Sequence, residues 1–177
     1  SMMINYTIKK GLSNNNITSI LEDREGNLWI GTYGSGIAMF MDKSFTTYNW
    51  NEGVQDNFVF SLAEDKDKNI WIGTGASGVA VLTPMDANHQ YKIRTITTDD
   101  GLINNFVRIV YEDRLGKMWI GTSEGVSIRD QGKLKKLTVN DGIIHNYVRT
   151  VLEDRNGNIY LGTPAGMSKL IPHGNGY

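Results

Sequence analysis

The stretch GTGASG, from Gly73 to Gly78, has the spacing of a glycine-rich loop that binds the pyrophosphate of a dinucleotide. That chemistry needs a G-x-G-x-x-G loop leading into a helix, because the N–H groups at the helix N-terminus bind the phosphates. Here the loop leads into GVAVLT, whose apolar and β-branched residues predict a strand. The sequence therefore favours a turn between two strands over a nucleotide site.

Acidic and histidine side chains could support acid catalysis or metal binding. Aspartates recur in short polar turns, and the segment DREGN lacks the length and spaced oxygen ligands of a calcium loop. Their recurrence favours turn formation. The three histidines, His89, His145 and His173, have no metal-ligand spacing. We therefore predict no catalytic residue, no metal site and no cofactor.

The glycine-rich stretch belongs to a unit that occurs four times. The units open at Gly11, Gly53, Gly101 and Gly142 and continue into WIGT or, in the last unit, YLGT. The eighteenth residue after each opening glycine is aromatic: Trp29, Trp71, Trp119 or Tyr160. A spacing of about 40 to 50 residues between units is typical of β-propeller blades.

Each unit contains strand patterns without helical periodicity, separated by acidic, glycine-bearing turns. The second strand is apolar on both faces, which predicts that it is covered on two sides. We expect positive φ at Gly26, Gly116 and Gly157, and a slightly strained Lys68 at the same position of the second unit. We predict an all-β fold, a β-propeller whose four repeats each give a four-stranded antiparallel blade, as one domain over residues 1–177.

The N-terminal segment Ile4 to Lys10 aligns with the fourth strands, whereas the last unit ends without one. We predict an N-terminal outer strand at 4–10 that completes a last blade, either its own or that of a second chain. Because an unpaired edge invites association, we expect a homo-oligomer. A dimer closing an eight-bladed ring is favoured, and a four-bladed monomer is the alternative.

The composition argues against several partners. The net charge of −1 arises from mixed acidic and basic residues, so we predict no nucleic-acid partner. Cysteine is absent, so disulfides and thiolate ligands are excluded without fixing the compartment. No apolar run reaches the length of a membrane helix and no signal peptide is visible, so we expect no direct membrane insertion.

The units GLSNNNITSILEDREGNLWIGT and GLINNFVRIVYEDRLGKMWIGT resemble the two-component regulator propeller repeat of bacterial hybrid two-component systems. The likeness rests on the opening Gly-Leu, the Asn four residues on, the Glu-Asp turn and Trp-Ile-Gly-Thr. It implies a periplasmic or extracytoplasmic sensor module that recognises an oligosaccharide or another small ligand. Family sensors carry many more repeats, and this chain has no kinase segment.

Candidate ligand-binding residues follow from the loops that a propeller presents on its channel face. They are Tyr33, Asn57, Phe58, Asn105, Phe106, Arg108, Glu124, His145, Tyr147 and Arg149. Aromatic rings stack on sugar faces, and arginine binds carboxylates or hydroxyls. Blade packing is the alternative for the recurring aromatic residues, and backbone hydrogen bonding for the asparagines. Arg108 and Arg149 replace Thr18 and Phe60 of other units, so the repeat itself does not require them.

Two other functional classes stay open. A propeller lyase or hydrolase would use His145, the one histidine in a candidate channel-face loop. A protein-interaction scaffold would use the exposed edge strands.

Overall fold

The computed structural model describes residues 2–85 and 90–172, apart from the side chain of Trp50, so His89 and His173 lie outside the described residues. Within those ranges the chain forms fifteen strands and four one-turn 3₁₀ helices. The strands are β1 (Ile17–Glu22), β2 (Leu28–Thr32), β3 (Ile37–Met41), β4 (Ser44–Tyr48), β5 (Val59–Glu64), β6 (Ile70–Thr74), β7 (Val79–Pro84), β8 (Tyr91–Ile96), β9 (Val107–Glu112), β10 (Met118–Thr122), β11 (Val126–Asp130), β12 (Lys133–Leu137), β13 (Thr150–Glu153), β14 (Ile159–Thr163) and β15 (Gly166–Leu170).

The strands form four antiparallel sheets in chain order, which confirms the predicted all-β propeller fold. Blade 1 is β1–β4, blade 2 is β5–β8, blade 3 is β9–β12, and blade 4 has only three strands, β13–β15. The innermost strands pack in sequence, β1 on β5, β5 on β9 and β9 on β13. The loop 75–78 joins β6 to β7, so the glycine-rich stretch is a turn between strands, as predicted.

Three apolar cores lie between successive blades. Trp29 packs with blade 2 residues in the first, Trp71 with blade 3 residues in the second, and Trp119 with blade 4 residues in the third. All three indoles are buried, which accounts for the apolar residues on both faces of the second strands.

An aspartate closes the first hairpin of each blade. The Asp23 carboxylate accepts hydrogen bonds from the Glu25 and Asn27 backbone N–H groups, and its Oδ2 accepts from Trp29 Nε1 at 2.8 Å. Asp65 binds the Trp71 indole at 2.8 Å and Asp113 binds Trp119 at 2.9 Å in the same way. In blade 4 Asp154 accepts from the Tyr160 hydroxyl at 3.0 Å. The aspartates therefore have the predicted turn-forming role.

The predicted backbone conformations of these turns are confirmed. Gly26, Gly116 and Gly157 have φ values of 86°, 76° and 83°, and Lys68 has φ 64°. A non-glycine residue at that φ is strained, so Lys68 lowers the stability of the second hairpin.

The N-terminal segment Ile4–Lys10 does not complete blade 4 of its own chain, so the first of the two predicted alternatives is wrong. Residues 2–7 pair with no strand, and Ile8–Lys10 form a 3₁₀ helix. Equivalent helices, Trp50–Glu52, Thr98–Asp100 and Val139–Asp141, follow the outer strands of the other three blades. The aligned segment therefore includes the 3₁₀ turn, and the residues before it have no partner strand within the chain. Completion of the last blade of a second chain stays a prediction. None of the helices in the described ranges is long or apolar enough to cross a membrane.

Replacing a hairpin aspartate should strongly destabilise the fold. Asp65→Ala leaves the Trp71 indole, the Asn69 amide and two backbone N–H groups without their acceptor, with an expected loss of about 3 kcal/mol in the free energy of unfolding. Urea denaturation measures the change. Asp67→Ala, at an exposed position of the same turn, is the matched control and should change stability little. Equal effects of the two changes would contradict the assigned role.

Acid should unfold the protein as these carboxylates protonate. Hydrogen bonds from Asn158, together with the Tyr160 hydroxyl, lower the pKa of Asp154 to about 2. Burial raises the pKa of Asp23, but donors including the Trp29 indole outweigh it, and the net direction is downward. A pKa lowered by folding contributes stability above the unfolded value, about 3.9, that is lost as pH falls through the folded value.

The free energy of unfolding should therefore drop between about pH 4 and pH 2. Asp154→Asn should reduce that slope, whereas Asp67→Asn should leave it unchanged. Urea titrations repeated across this pH range measure the slope, and an identical slope in Asp154→Asn would contradict the assignment.

Candidate functional site

One edge of the four blades collects the candidate residues. The starts of β1, β5, β9 and β13 pair with the ends of β2, β6, β10 and β14, so their loops lie together around the inner strands. Tyr33, just after β2, forms an isolated bridge with Phe58, just before β5. We call this edge the channel rim.

Five aromatic rings form a continuous row along the channel rim. The aromatic row consists of Tyr33, Phe58, Phe60, Phe106 and Tyr147. The Tyr33 ring lies 4.7 Å from Phe58 and 6.2 Å from Phe60, centroid to centroid. Phe60 lies 5.5 Å from Phe106, which lies 6.3 Å from Tyr147. These separations fall in the range of favourable aromatic pairs, and Tyr33 and Phe58 are exposed to solvent.

Two arginines lie on this row. The Arg108 guanidinium carbon is 4.4 Å from the Phe60 ring centroid, and that of Arg149 is 5.2 Å from the Tyr147 centroid. Within the described ranges neither arginine forms an ion pair, and the buried Arg108 Nε has no hydrogen-bond partner. A buried donor without an acceptor destabilises the folded protein. An anionic or polar group bound at the rim could accept this hydrogen bond.

Backbone irregularities place these side chains. The pairing of each inner strand shifts between Ile17 and Ser19 in β1, between Val59 and Ser61 in β5, and between Val107 and Ile109 in β9. The extra residues are Thr18, Phe60 and Arg108. A bulge re-aims the side chain of its extra residue, and bulges are enriched next to functional sites. In blade 4 Arg149 holds the same position, and its N–H donates to the Gly162 carbonyl.

Phe60 is the rim residue that the sequence reasoning missed. It lies between Tyr33 and Phe106 in the aromatic row, and the Arg108 guanidinium lies over its ring. Its aromatic type at the variable repeat position was the available signal.

Asn105 and His145 have loop-forming contacts. Asn105 Oδ1 accepts from the Thr98 N–H, so it caps the preceding 3₁₀ helix. His145 Nδ1 accepts from the Tyr147 N–H at 2.9 Å, which fixes the turn before β13. Asn57 differs, because its Oδ1 is buried and has no partner. Glu124 is exposed in the turn between β10 and β11, where its N–H donates to Thr122 Oγ1.

Comparison with known families agrees with this geometry. The model of the two-component regulator propeller matches residues 11–34, 53–76, 101–124 and 142–165, which together make up more than half of the chain. The chain belongs to the two-component regulator propeller family. The four matches coincide with the four repeats that carry the hairpin aspartates and the channel rim.

Solved structures support the same assignment of fold. The extracellular domain of BT4673, assigned to the hybrid two-component systems of B. thetaiotaomicron, is 25% identical with a TM-score of 0.72, over 91% of this chain and 23% of that one. The corresponding domain of BT3049 is 24% identical with a TM-score of 0.65, over 89% of this chain and 28% of that one. This chain therefore spans about a quarter of those structures and resembles part of their extracellular domains.

Enzymes share the fold more distantly. A streptogramin B lyase is 15% identical with a TM-score of 0.59, over 90% of this chain and 56% of that one, which shows a common fold alone. No protein with a curated function matches the regulator propeller by sequence.

The two candidate asparagines should respond differently to replacement. Asn105→Ala removes the acceptor of the Thr98 N–H and should cost about 1 kcal/mol in the free energy of unfolding. Asn57→Ala removes an unpartnered oxygen and should cost less than half as much. Urea denaturation of the two variants tests this, and an equal or larger loss for Asn57→Ala would contradict it.

Proposed function

We propose that this chain is a noncatalytic sensor module whose channel rim binds an anionic oligosaccharide. The observation that carries the proposal is the pair of guanidinium groups, Arg108 and Arg149, held on aromatic rings without a carboxylate partner in the described ranges. Arginine gives planar, bidentate recognition of carboxylate or sulfate groups. An anionic sugar would supply the missing acceptors.

The aromatic row suits a chain of sugar rings. Four of its members come from four different loops and the fifth, Phe60, from strand β5, so they form an extended surface rather than one enclosed pocket. Apolar sugar faces can stack on Tyr33 and Phe58, the two exposed members, while hydroxyl groups bind solvent or rim polar groups. The row therefore favours an oligosaccharide over a single small anion.

The module would act within a longer receptor on the extracytoplasmic side, as the similarity to extracellular sensor domains suggests. A ligand shifts the arrangement of a receptor only through its different affinity for two states. Because the row joins residues of several blades, a bound oligosaccharide would stabilise one relative arrangement of those blades. Neighbouring domains would respond to that arrangement.

The test is calorimetric titration with short oligogalacturonates, which carry carboxylates, and with neutral cello-oligosaccharides. We expect the oligogalacturonates to bind, with an affinity that falls as salt concentration rises. The double variant Arg108→Gln with Arg149→Gln should weaken that binding by at least about tenfold, the equivalent of about 1.4 kcal/mol. Phe58→Ala should weaken binding of any oligosaccharide that binds the wild type.

Arg129→Gln is the matched control, because the Arg129 guanidinium lies 5.3 Å from the Trp71 ring centroid, away from the rim. It should leave sugar binding unchanged. Unchanged oligogalacturonate binding in the double arginine variant would refute an anion site at the rim. Turnover of a sugar that His145→Ala abolishes would instead support an enzyme.

A further inference from the structure

Each junction between blades has the same close contact between a glycine and a valine. A Cβ on Gly31 would lie 2.7 Å from Val59 of the next blade, and one on Gly73 would lie 2.9 Å from Val107. Gly121 faces Val148 in the third junction. Glycine is therefore needed wherever the next blade's branched side chain packs on the second strand.

Blade 4 has the glycine of this contact without the branched side chain. The three atoms nearest to a Cβ on Gly162 would all belong to Thr150, in its own blade. At the other end of the chain, Ile17 holds the position of Val59, Val107 and Val148 but is 37% exposed, whereas the valines are fully buried. Ile17 and Gly162 are therefore the counterparts of the valine and the glycine that meet at the other junctions, but they do not meet within one chain.

Neighbouring apolar residues on blades 1 and 4 are likewise exposed where their counterparts in other blades are buried. Ile20 is 68% exposed, whereas its counterparts in blades 3 and 4, Val110 and Val151, are buried. On blade 4 Met167 is 62% exposed, whereas its counterpart Ile37 is completely buried. Blade 1 and blade 4 thus each present an apolar face that is a core face everywhere else in the molecule. We call them the leading face, on blade 1, and the trailing face, on blade 4.

Charged groups at the same edges are complementary. Arg24 donates its backbone N–H to Glu64 of the next blade, and Arg114 does the same to Glu153, with a salt bridge of 2.6 Å. The next pair in this series would be Arg155 on the trailing face and Glu22 on the leading face. Both are exposed.

The N-terminal segment packs on blade 1, at the position that the outer strand of a preceding blade would occupy. The Tyr6 ring packs against Phe40 and Phe45 of blade 1, at 5.0 and 5.7 Å. Its counterpart Tyr48 also packs on the following blade, where its ring centroid lies 6.0 Å from that of Tyr91. Residues 2–6 therefore lie on the leading face where the outer strand of a preceding blade belongs, with an unpaired edge.

The trailing face has the groove for that strand. A cavity of about 410 Å³ borders β15 and is lined in part by Gly142, Ile143 and Leu170. In the preceding junctions Ile93 lies against Gly53, and Leu134 lies against Gly101. Met3 is the counterpart of both side chains, is exposed, and would fill the space beside Gly142. In blade 3 Arg129 pairs with Leu134 across the two outermost strands. Leu170 is the counterpart of Arg129 and Met3 that of Leu134, so we expect Leu170 to pair with Met3.

We propose that a second copy of this chain docks on both faces, so that two chains close a ring of eight blades. The leading face of each copy packs on the trailing face of the other, and residues 2–6 become the fourth strand of the partner's blade 4. Three buried cores set the angle between blades, and at that angle blades 1 and 4 of one chain leave their faces exposed. A two-fold axis relates the two junctions, so both are satisfied together.

Light scattering after size-exclusion chromatography, over a range of concentrations, tests the assembly. We expect a particle of twice the chain mass. Ile20→Lys should weaken the dimer by at least about a hundredfold, because it places a charge in an apolar interface centre. The residue is exposed in one chain, so the monomer should stay folded. Leu115→Lys, at a similarly exposed apolar position in the β9–β10 turn, is the control and should stay dimeric.

A disulfide tests the register and the second copy together. The chain has no cysteine, so Met3→Cys with Leu170→Cys should give a covalent dimer under oxidation. Met3→Cys with Ser168→Cys, two residues out of register, should cross-link much less. A monomeric wild type, a larger open assembly, or a disulfide within one chain would each overturn the proposal.

Discussion

The hydrogen bond between a turn aspartate and the aromatic residue six positions later is the interaction on which each blade depends. One carboxylate accepts from the turn backbone and from the indole, so it fixes the hairpin and the ring together. The ring then fills the core between its blade and the next. Without that acceptor the buried indole N–H would have no partner. The largest side chain of the core would then no longer be held in position. Blade 4 keeps the interaction with a tyrosine hydroxyl, at a position only half buried.

The same packing explains where a site can form. A valine at or just before the start of β5, β9 and β13 packs on the glycine of the preceding blade. In β1, β5 and β9 a bulge follows the first residue of the strand. The bulged residue is thereby released from the core contacts on either side of it. Its type is free to vary, as Thr18, Phe60, Arg108 and Arg149 illustrate. A rigid scaffold thus presents four variable side chains at one rim.

The sequence predicts those features that recurrence makes visible. The repeat, the hairpin aspartates and the left-handed Lys68 follow from comparing four units that must solve the same local problem. Phe60 was missed because its position is the one at which the units differ. Ile4–Lys10 does not form the outer strand of its own last blade, because strand formation needs a partner edge and alignment with other units cannot show whether that edge is within reach. The sequence does not predict the bulges either, because a bulge depends on the pairing register between two strands.

The rim and the open faces are physically separable. The aromatic row begins at Tyr33 of blade 1 and ends at Tyr147 of blade 4, so every contact that defines it lies within one chain. In an eight-bladed ring, the position after Tyr147 and Arg149 would be taken by Asn16 and Thr18 of the second copy, which are small and polar. Those residues would interrupt the row at both junctions. The ring would then hold two equivalent rim surfaces, one for each chain. Loss of the dimer would leave each surface intact, because the junction supplies neither the guanidinium groups nor the rings.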